Sequence, residues 1–246
     1  MPKALIPFFT AGDPSLKITE KLVLMAEKAG ADLVELGIPF SDPMADGPVI
    51  QSASERALKK GVTLEKVLGL VRSIRKKSDI PLLLMGYYNP IYSFGLKRYA
   101  REAKRAGVDA TLVVDLPPEE STELDRELKK VGISLIYLLT PTSDAERIRK
   151  VCRKARRFIY FVSVTGITGS ALKDEKLLQQ KIRQIRRQTK LPVVIGFGIS
   201  KPEQAKRMAR LADGVVVGSA LVSLIHRTHG SVAAAQKMVA NFRKAV

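Results

Sequence analysis

Short β-branched runs alternate with longer segments of 3.6-residue period along this chain of 246 residues, and that alternation constrains the fold more than any other feature. The strand-like runs are Ala4–Phe9, Asp32–Gly37, Pro81–Gly86, Ala110–Val114, Ser134–Leu139, Phe158–Ser163, Pro192–Gly196 and Asp213–Val217. Helical patterns fall between them, among them Ile18–Ala29, Leu64–Lys77, Leu96–Ala106, Ser121–Val131 and Pro202–Ala209. Eight such units average roughly 31 residues each, the size of a β-α repeat. Strands this short and this continuously apolar belong to a parallel sheet buried on both faces. Gly30, Gly107 and Gly132 each stand where a helix ends and a strand follows.

Two α/β arrangements satisfy this pattern, a doubly wound open sheet and a closed barrel. No Gly-x-Gly-x-x-Gly follows the first strand, and no break interrupts the eight units. Both points favour a (β/α)8 TIM barrel. No linker or shift of composition marks a boundary, so residues 1–246 are expected to form a single domain.

Composition bounds the function classes. The chain is 46% hydrophobic and 27% charged, with one cysteine, Cys152, and therefore no internal disulfide. No apolar run approaches the roughly 18 residues of a membrane helix, and no signal-peptide pattern opens the sequence, so a cytoplasmic protein without a membrane partner is expected. The net charge of +18 is enough to attract anions, RNA included. In Arg147–Arg157, however, Ile148, Val151, Cys152 and Ala155 form one apolar stripe and turn the basic side chains outward. Leu178, Ile182 and Ile185 do the same for the basic run Lys181–Lys190. Aromatic residues do not interleave with these clusters, so no dedicated nucleic-acid partner is expected.

In a barrel of this kind, chemistry belongs at the C-terminal ends of the strands. Glu35 lies near the end of the second strand, where an apolar side chain is expected, and burial there would raise its pKa. Asp42 and Asp46 follow in a loop stiffened by Pro39, Pro43 and Pro48. Carboxyls so arranged suit proton transfer. Equally, Glu35 fits an internal ion pair with a lysine, and the two aspartates fit turn-forming roles. The loop Thr165–Ser170, with Gly166 and Gly169, reads either as a connector or as a lid. After the seventh and eighth strands, Gly196-Phe-Gly198 and Gly218-Ser219 lead into helix starts whose free N–H groups favour an anion, a phosphate above all. Packing glycines are the other reading. His226 and His229 lack partners in a ligand pattern and read as surface residues, and no metal or nucleotide motif is present.

These residues carry a resemblance. Pro7–Pro14, Leu33–Gln51 (LVELGIPFSDPMADGPVIQ), Met85–Pro90, Val114–Pro117, Val164–Gly169, Gly196–Ser200 and Gly218-Ser219 run in the same order as in the tryptophan synthase alpha chain family, which the sequence resembles over nearly its whole length. The resemblance implies a (β/α)8 barrel that cleaves indole-3-glycerol phosphate to indole and glyceraldehyde-3-phosphate without a cofactor. Carried across, the family's catalytic glutamate falls on Glu35, its aspartate on Asp46 and its active-site tyrosine on Tyr160. Phe8 falls on the phenylalanine that packs against indole, and Thr168 on the lid threonine. Gly169, Gly198, Gly218 and Ser219 fall on the phosphate cradle.

The implied partner is a pyridoxal-phosphate-dependent beta chain, in an α2β2 assembly, docking on the rim loops Asp42–Pro48 and Asn89–Tyr92 and receiving indole for tryptophan biosynthesis. A free-standing lyase, a weak subunit that mainly activates the beta chain, and an anion- or RNA-binding barrel are the alternatives. The family carries a helix ahead of the first strand. Here Met1 stands only a few residues before Ile6, which predicts a less covered barrel base and lower stability. The strong basicity is also unusual for this resemblance.

Overall fold

A computed structural model describes residues 3–162, 171–196 and 198–246, apart from the side chains of 171–174. The elements run β1 (Ala4–Thr10), α1 (Leu16–Lys28), β2 (Val34–Gly37), α2 (Pro48–Lys59), α3 (Leu64–Arg75), β3 (Leu82–Gly86), α4 (Tyr88–Phe94) and α5 (Leu96–Ala106). There follow β4 (Ala110–Val113), α6 (Thr122–Lys130), β5 (Ser134–Leu139), α7 (Ala145–Lys154), β6 (Ile159–Val162) and α8 (Ala171–Arg186). The chain ends with β7 (Val193–Gly196), α9 (Pro202–Leu211), β8 (Gly214–Val217), α10 (Ser219–Arg227) and α11 (Val232–Ala245). The strands pair in parallel, each with the next in sequence, and β8 closes on β1, giving the (β/α)8 barrel.

Alternation along each strand sorts side chains into two cores. Leu5 and Phe9 of β1, with Val34 and Leu36 of β2, face outward under the helices. Ile6 and Phe8, with Leu83, Met85, Leu112, Ile136, Tyr160, Val194 and Val216, fill the barrel interior. Glu35 lies beside Phe8 on one side and Leu83 on the other. Its carboxyl therefore enters the barrel in a layer of apolar neighbours. The outer shell follows the apolar stripes read from sequence: Ile148, Val151, Leu178, Ile182 and Ile185 are buried, while Arg153, Arg183 and Arg187 are exposed.

Several helix starts are capped by short polar side chains. Ser15, Thr63, Asp144 and Ser231 accept N–H bonds from residues three positions on. Each such cap is worth about 1 kcal/mol. At the other end, Gly107 has φ 93° directly after α5, a left-handed conformation that a side chain would strain.

At the base of the barrel an aspartate repeats with one function. Asp32 accepts from Leu5 N–H at 2.8 Å, Asp109 from Leu82 N–H at 2.9 Å and Asp213 from Val193 N–H at 2.9 Å. Each caps the opening amide of a neighbouring strand or its approach, and each is met by a cation, Arg243, Arg75 or Arg186. These ties fix strand register at the end opposite the mouth. The base also holds an open hollow of about 1000 Å³ floored by Ile6, Leu33, Phe158 and Val194.

Candidate active site

The strands direct their C-terminal ends toward one cavity of about 310 Å³. Phe8 from β1, Glu35 from β2, Tyr160 from β6 and Val216 from β8 line its inner wall, and Asp46, Gly198, Gly218 and Ser219 come from the loops above. Seven of the nine site residues expected from sequence therefore share a single space. Thr168 and Gly169 lie outside the described residues.

Glu35 is fully buried. Its Oε2 accepts a long bond from the Tyr160 hydroxyl, 3.5 Å, and its Oε1 has no partner among the described residues. The alternative of an internal lysine pair has no support here, since no cation contacts the carboxyl among the described residues. Burial pushes its pKa up to about 8, the negative charge of Asp46 pushes the same way, and only the Tyr160 hydrogen bond opposes them. Glu35 thus keeps its proton at neutral pH. Burial likewise raises the Tyr160 phenol, with the two nearby carboxyls adding to it, so that phenol stays a donor. Tyr160 itself is held by a close approach to β7: a Cβ at Gly196 would lie 2.3 Å from the phenol oxygen. Only glycine leaves the ring its place.

Asp46 sits at the mouth, half-buried, just before the α2 start at Gly47-Pro48. Desolvation raises its pKa, and a hydrogen bond from the Tyr87 hydroxyl at 3.1 Å pulls it back. Gln51, one turn into α2, donates to the Asp46 carbonyl at 2.9 Å and holds the loop. Asp42 takes no part in the cavity. It stays exposed on the rim, where its carboxylate accepts from the Ser41 hydroxyl at 2.5 Å.

The two expected anion cradles differ. At the unit-seven helix, the N–H groups of Ser200 and Lys201 are already taken by the Gln204 side chain, at 2.9 and 3.0 Å. That unit offers the cavity Gly198, in a left-handed turn with φ 75°, and Ile199. At the unit-eight helix, Gly218 is the N-cap and no side chain among the described residues caps α10, so its first-turn amides lie open to an anion beside Ser219. An anion would bind chiefly there.

Sequence reasoning missed Tyr87 and Gln51 as site residues, although both stand in the motifs that carried the resemblance. Their roles need contacts made across a loop, and for Tyr87 across 41 positions of sequence. His226 and His229 are exposed, and no cluster of His, Cys, Asp or Glu suited to a metal occurs among the described residues. Also among the described residues, no helix is long and apolar enough to cross a membrane.

A closed parallel barrel that gathers carboxyls and free backbone amides at its C-terminal mouth defines a class, the (β/α)8-barrel enzymes. Within that class the chain belongs to the tryptophan synthase alpha chain family, whose model matches residues 2–246. It is 56% identical over 228 residues to the tryptophan synthase alpha chain of Geotalea uraniireducens, covering 93% of this chain and 85% of that one. Against that of Citrifermentans bemidjiense it is 57% identical over 231 residues, covering 93% and 86%. Among solved structures, the alpha subunit of Legionella pneumophila superposes with a TM-score of 0.91 at 42% identity, over 99% of this chain and 92% of that one. A chain from the structure on mutual activation of the Pyrococcus furiosus tryptophan synthase α2β2 complex superposes with a TM-score of 0.90 at 39% identity, over 98% and 99%.

Proposed function

We propose that this chain, a lyase of its family, cleaves indole-3-glycerol phosphate through Glu35 and Asp46, with residues 1–246 acting as one barrel domain. The observation that carries the reading is Glu35: a carboxyl buried without a cation among the described residues, protonated at neutral pH, in a cavity shared with a second carboxyl and a helix N-terminus without a side-chain cap. Indole has to be protonated at C3 before the bond to the glycerol carbon can break. Glu35 donates that proton. Asp46 stabilises the positive charge that then develops at the indole nitrogen. The side-chain hydroxyl loses its proton to the Glu35 carboxylate just formed, its C–O becomes the aldehyde, and the electron pair of the broken C–C bond restores the aromatic ring. Glu35 ends as it began, protonated.

Tyr160 holds Glu35, and Phe8 packs on the indole face. The α10 amides with Gly218, Ser219 and Gly198 grip the phosphate and keep the reacting carbon in place. Thr168 and Gly169 are assigned the lid by resemblance alone. A beta chain docks on the mouth: of the two rim segments expected to meet it, the loop 42–48 carries Met44, 92% exposed, and 89–92, which is part of helix α4 rather than a loop, carries Tyr92, 61% exposed; large apolar side chains so exposed suit an interface. Met44 lies two residues from Asp46, so docking bears directly on the site. A cytoplasmic setting fits this phosphorylated substrate and product.

The test is indole release from indole-3-glycerol phosphate, measured with and without a beta chain, for the native protein and for Glu35→Gln and Asp46→Asn. Losses of about a hundredfold or more are expected in both variants, with activation of the native protein by the beta chain. Native-like turnover in either variant overturns the role given to that carboxyl. High unaided turnover without activation favours a free-standing lyase.

A further inference from the structure

Two acids share the mouth, and each is met by one phenol. Tyr160 reaches Glu35 over a long 3.5 Å, whereas the Tyr87 contact to Asp46 is shorter, 3.1 Å, and more fully determined. The Tyr87 oxygen accepts the Ala45 N–H at 3.0 Å. An amide N–H can only donate, so the phenol proton is left for Asp46 Oδ2. The ring is 4% exposed and is held against Phe40, centroids 5.2 Å apart at 31°. Its backbone directly follows β3 and caps α4, so the phenol stands on rigid structure. With Gln51 on the Asp46 carbonyl, the loop is held from both its backbone and its side chain.

We propose that Tyr87 is the positioning residue of this site, fixing the rotation of the Asp46 carboxylate so that Oδ2 is occupied and Oδ1 stays free for the indole nitrogen. The inference rests on the reading of Asp46 given above. A carboxylate already turned and hydrogen-bonded needs no reorganisation when charge develops opposite it. The other ionisable groups facing this pair are Glu35 and Tyr160 inside the barrel and Asp115 behind Tyr87. Glu35 and Tyr160 keep their protons and bring no positive charge to Asp46, so among the described residues the Tyr87 hydroxyl is the side-chain donor that favours the ionised carboxylate against the desolvation opposing it.

The experiment is steady-state indole release across the pH range for Tyr87→Phe, Asp46→Asn and the double variant, with thermal unfolding of each. Tyr87→Phe is expected to lower kcat about tenfold, the scale of one charge-assisted hydrogen bond, while KM changes by no more than about twofold. Its acidic limb of kcat/KM should move to higher pH, because the ionised carboxylate has lost its donor. In the Asp46→Asn background the same substitution should add no further loss. Should Tyr87→Phe fold poorly, 3-fluorotyrosine at position 87, a stronger donor of nearly the same shape, should move that limb to lower pH. Unchanged kcat, a limb that stays put, or losses that simply add in the double variant overturn the proposal. Native-like turnover in Asp46→Asn alone instead removes the reading beneath it.

Discussion

Replacing Glu35 by glutamine should make the protein gain stability relative to the native chain as pH rises. The Glu35 carboxyl titrates near 4.5 when free and at about 8 in the folded protein, where burial is the main cause. Between those values the folded state holds a proton that the unfolded state has released. Stability therefore falls with rising pH across that window, by up to about 1.4 kcal/mol per pH unit. From about pH 5.5 to about pH 7.5 the native chain loses ~3 kcal/mol on this account, and above about pH 8 the loss levels off because both states are then ionised. Glutamine does not titrate and escapes the loss.

For a domain of this length, ~3 kcal/mol corresponds to ~6–12 °C in Tm. The assay is thermal or urea unfolding of both proteins at matched pH, read as the difference between them. Carboxylates away from Glu35 titrate identically in the two proteins and cancel, and the coupled Asp46 adds only a minor contribution beside burial. The altered hydrogen bonding of the amide adds an offset that does not vary with pH, so the slope carries the information. A difference that stays flat, or that shrinks as pH rises, would mean that Glu35 ionises like an ordinary surface acid. It would then hold no proton at neutral pH to give to indole C3.

Two further substitutions separate the mouth from the base. Gly196→Ala puts a methyl carbon 2.3 Å from the Tyr160 oxygen, and the ring has to leave its place over Glu35; a loss of about 1–3 kcal/mol in stability and a clear fall in indole release are expected from urea titration and kinetics. Arg75→Ala removes bonds to the Gly107, Ser78 and Ile80 carbonyls and the Asp109 carboxylate at the opposite end of the barrel. It should cost about 2–4 kcal/mol in urea unfolding, with kcat of the folded fraction unchanged. A fall in kcat there would show that the two ends are coupled.

The eightfold alternation was legible because a parallel barrel buries both faces of every strand, leaving runs too apolar and too short for anything else. Strand starts were less legible. Asp32, Pro81, Pro192 and Asp213 were read into strands that begin one or two residues later. Two of the four are the aspartates that reach sideways to cap a neighbouring strand's amide, and two are prolines with no N–H for the ladder. Hydrophobic period is blind to both, since each is defined by a hydrogen bond made or refused outside its own segment. For the same reason α7 ends at Lys154 rather than following its basic pattern to Arg157: Arg156 leaves the helix to pair with Asp125 of α6.

The site divides along the same line. Glu35 was readable because a charge in an apolar strand breaks the local pattern, and Gly218-Ser219 because a glycine at a strand-to-helix junction is itself a local signal. What Tyr87 does is visible in no pattern, because a tyrosine after a buried strand is unremarkable until its hydroxyl is seen between Ala45 and Asp46. The Gln204 side chain is the converse case, a surface residue that occupies amides the sequence left open to an anion. Residues that perform a step announce themselves by being costly where they stand. Residues that aim or silence others cost little locally, and only the folded geometry separates them from their neighbours.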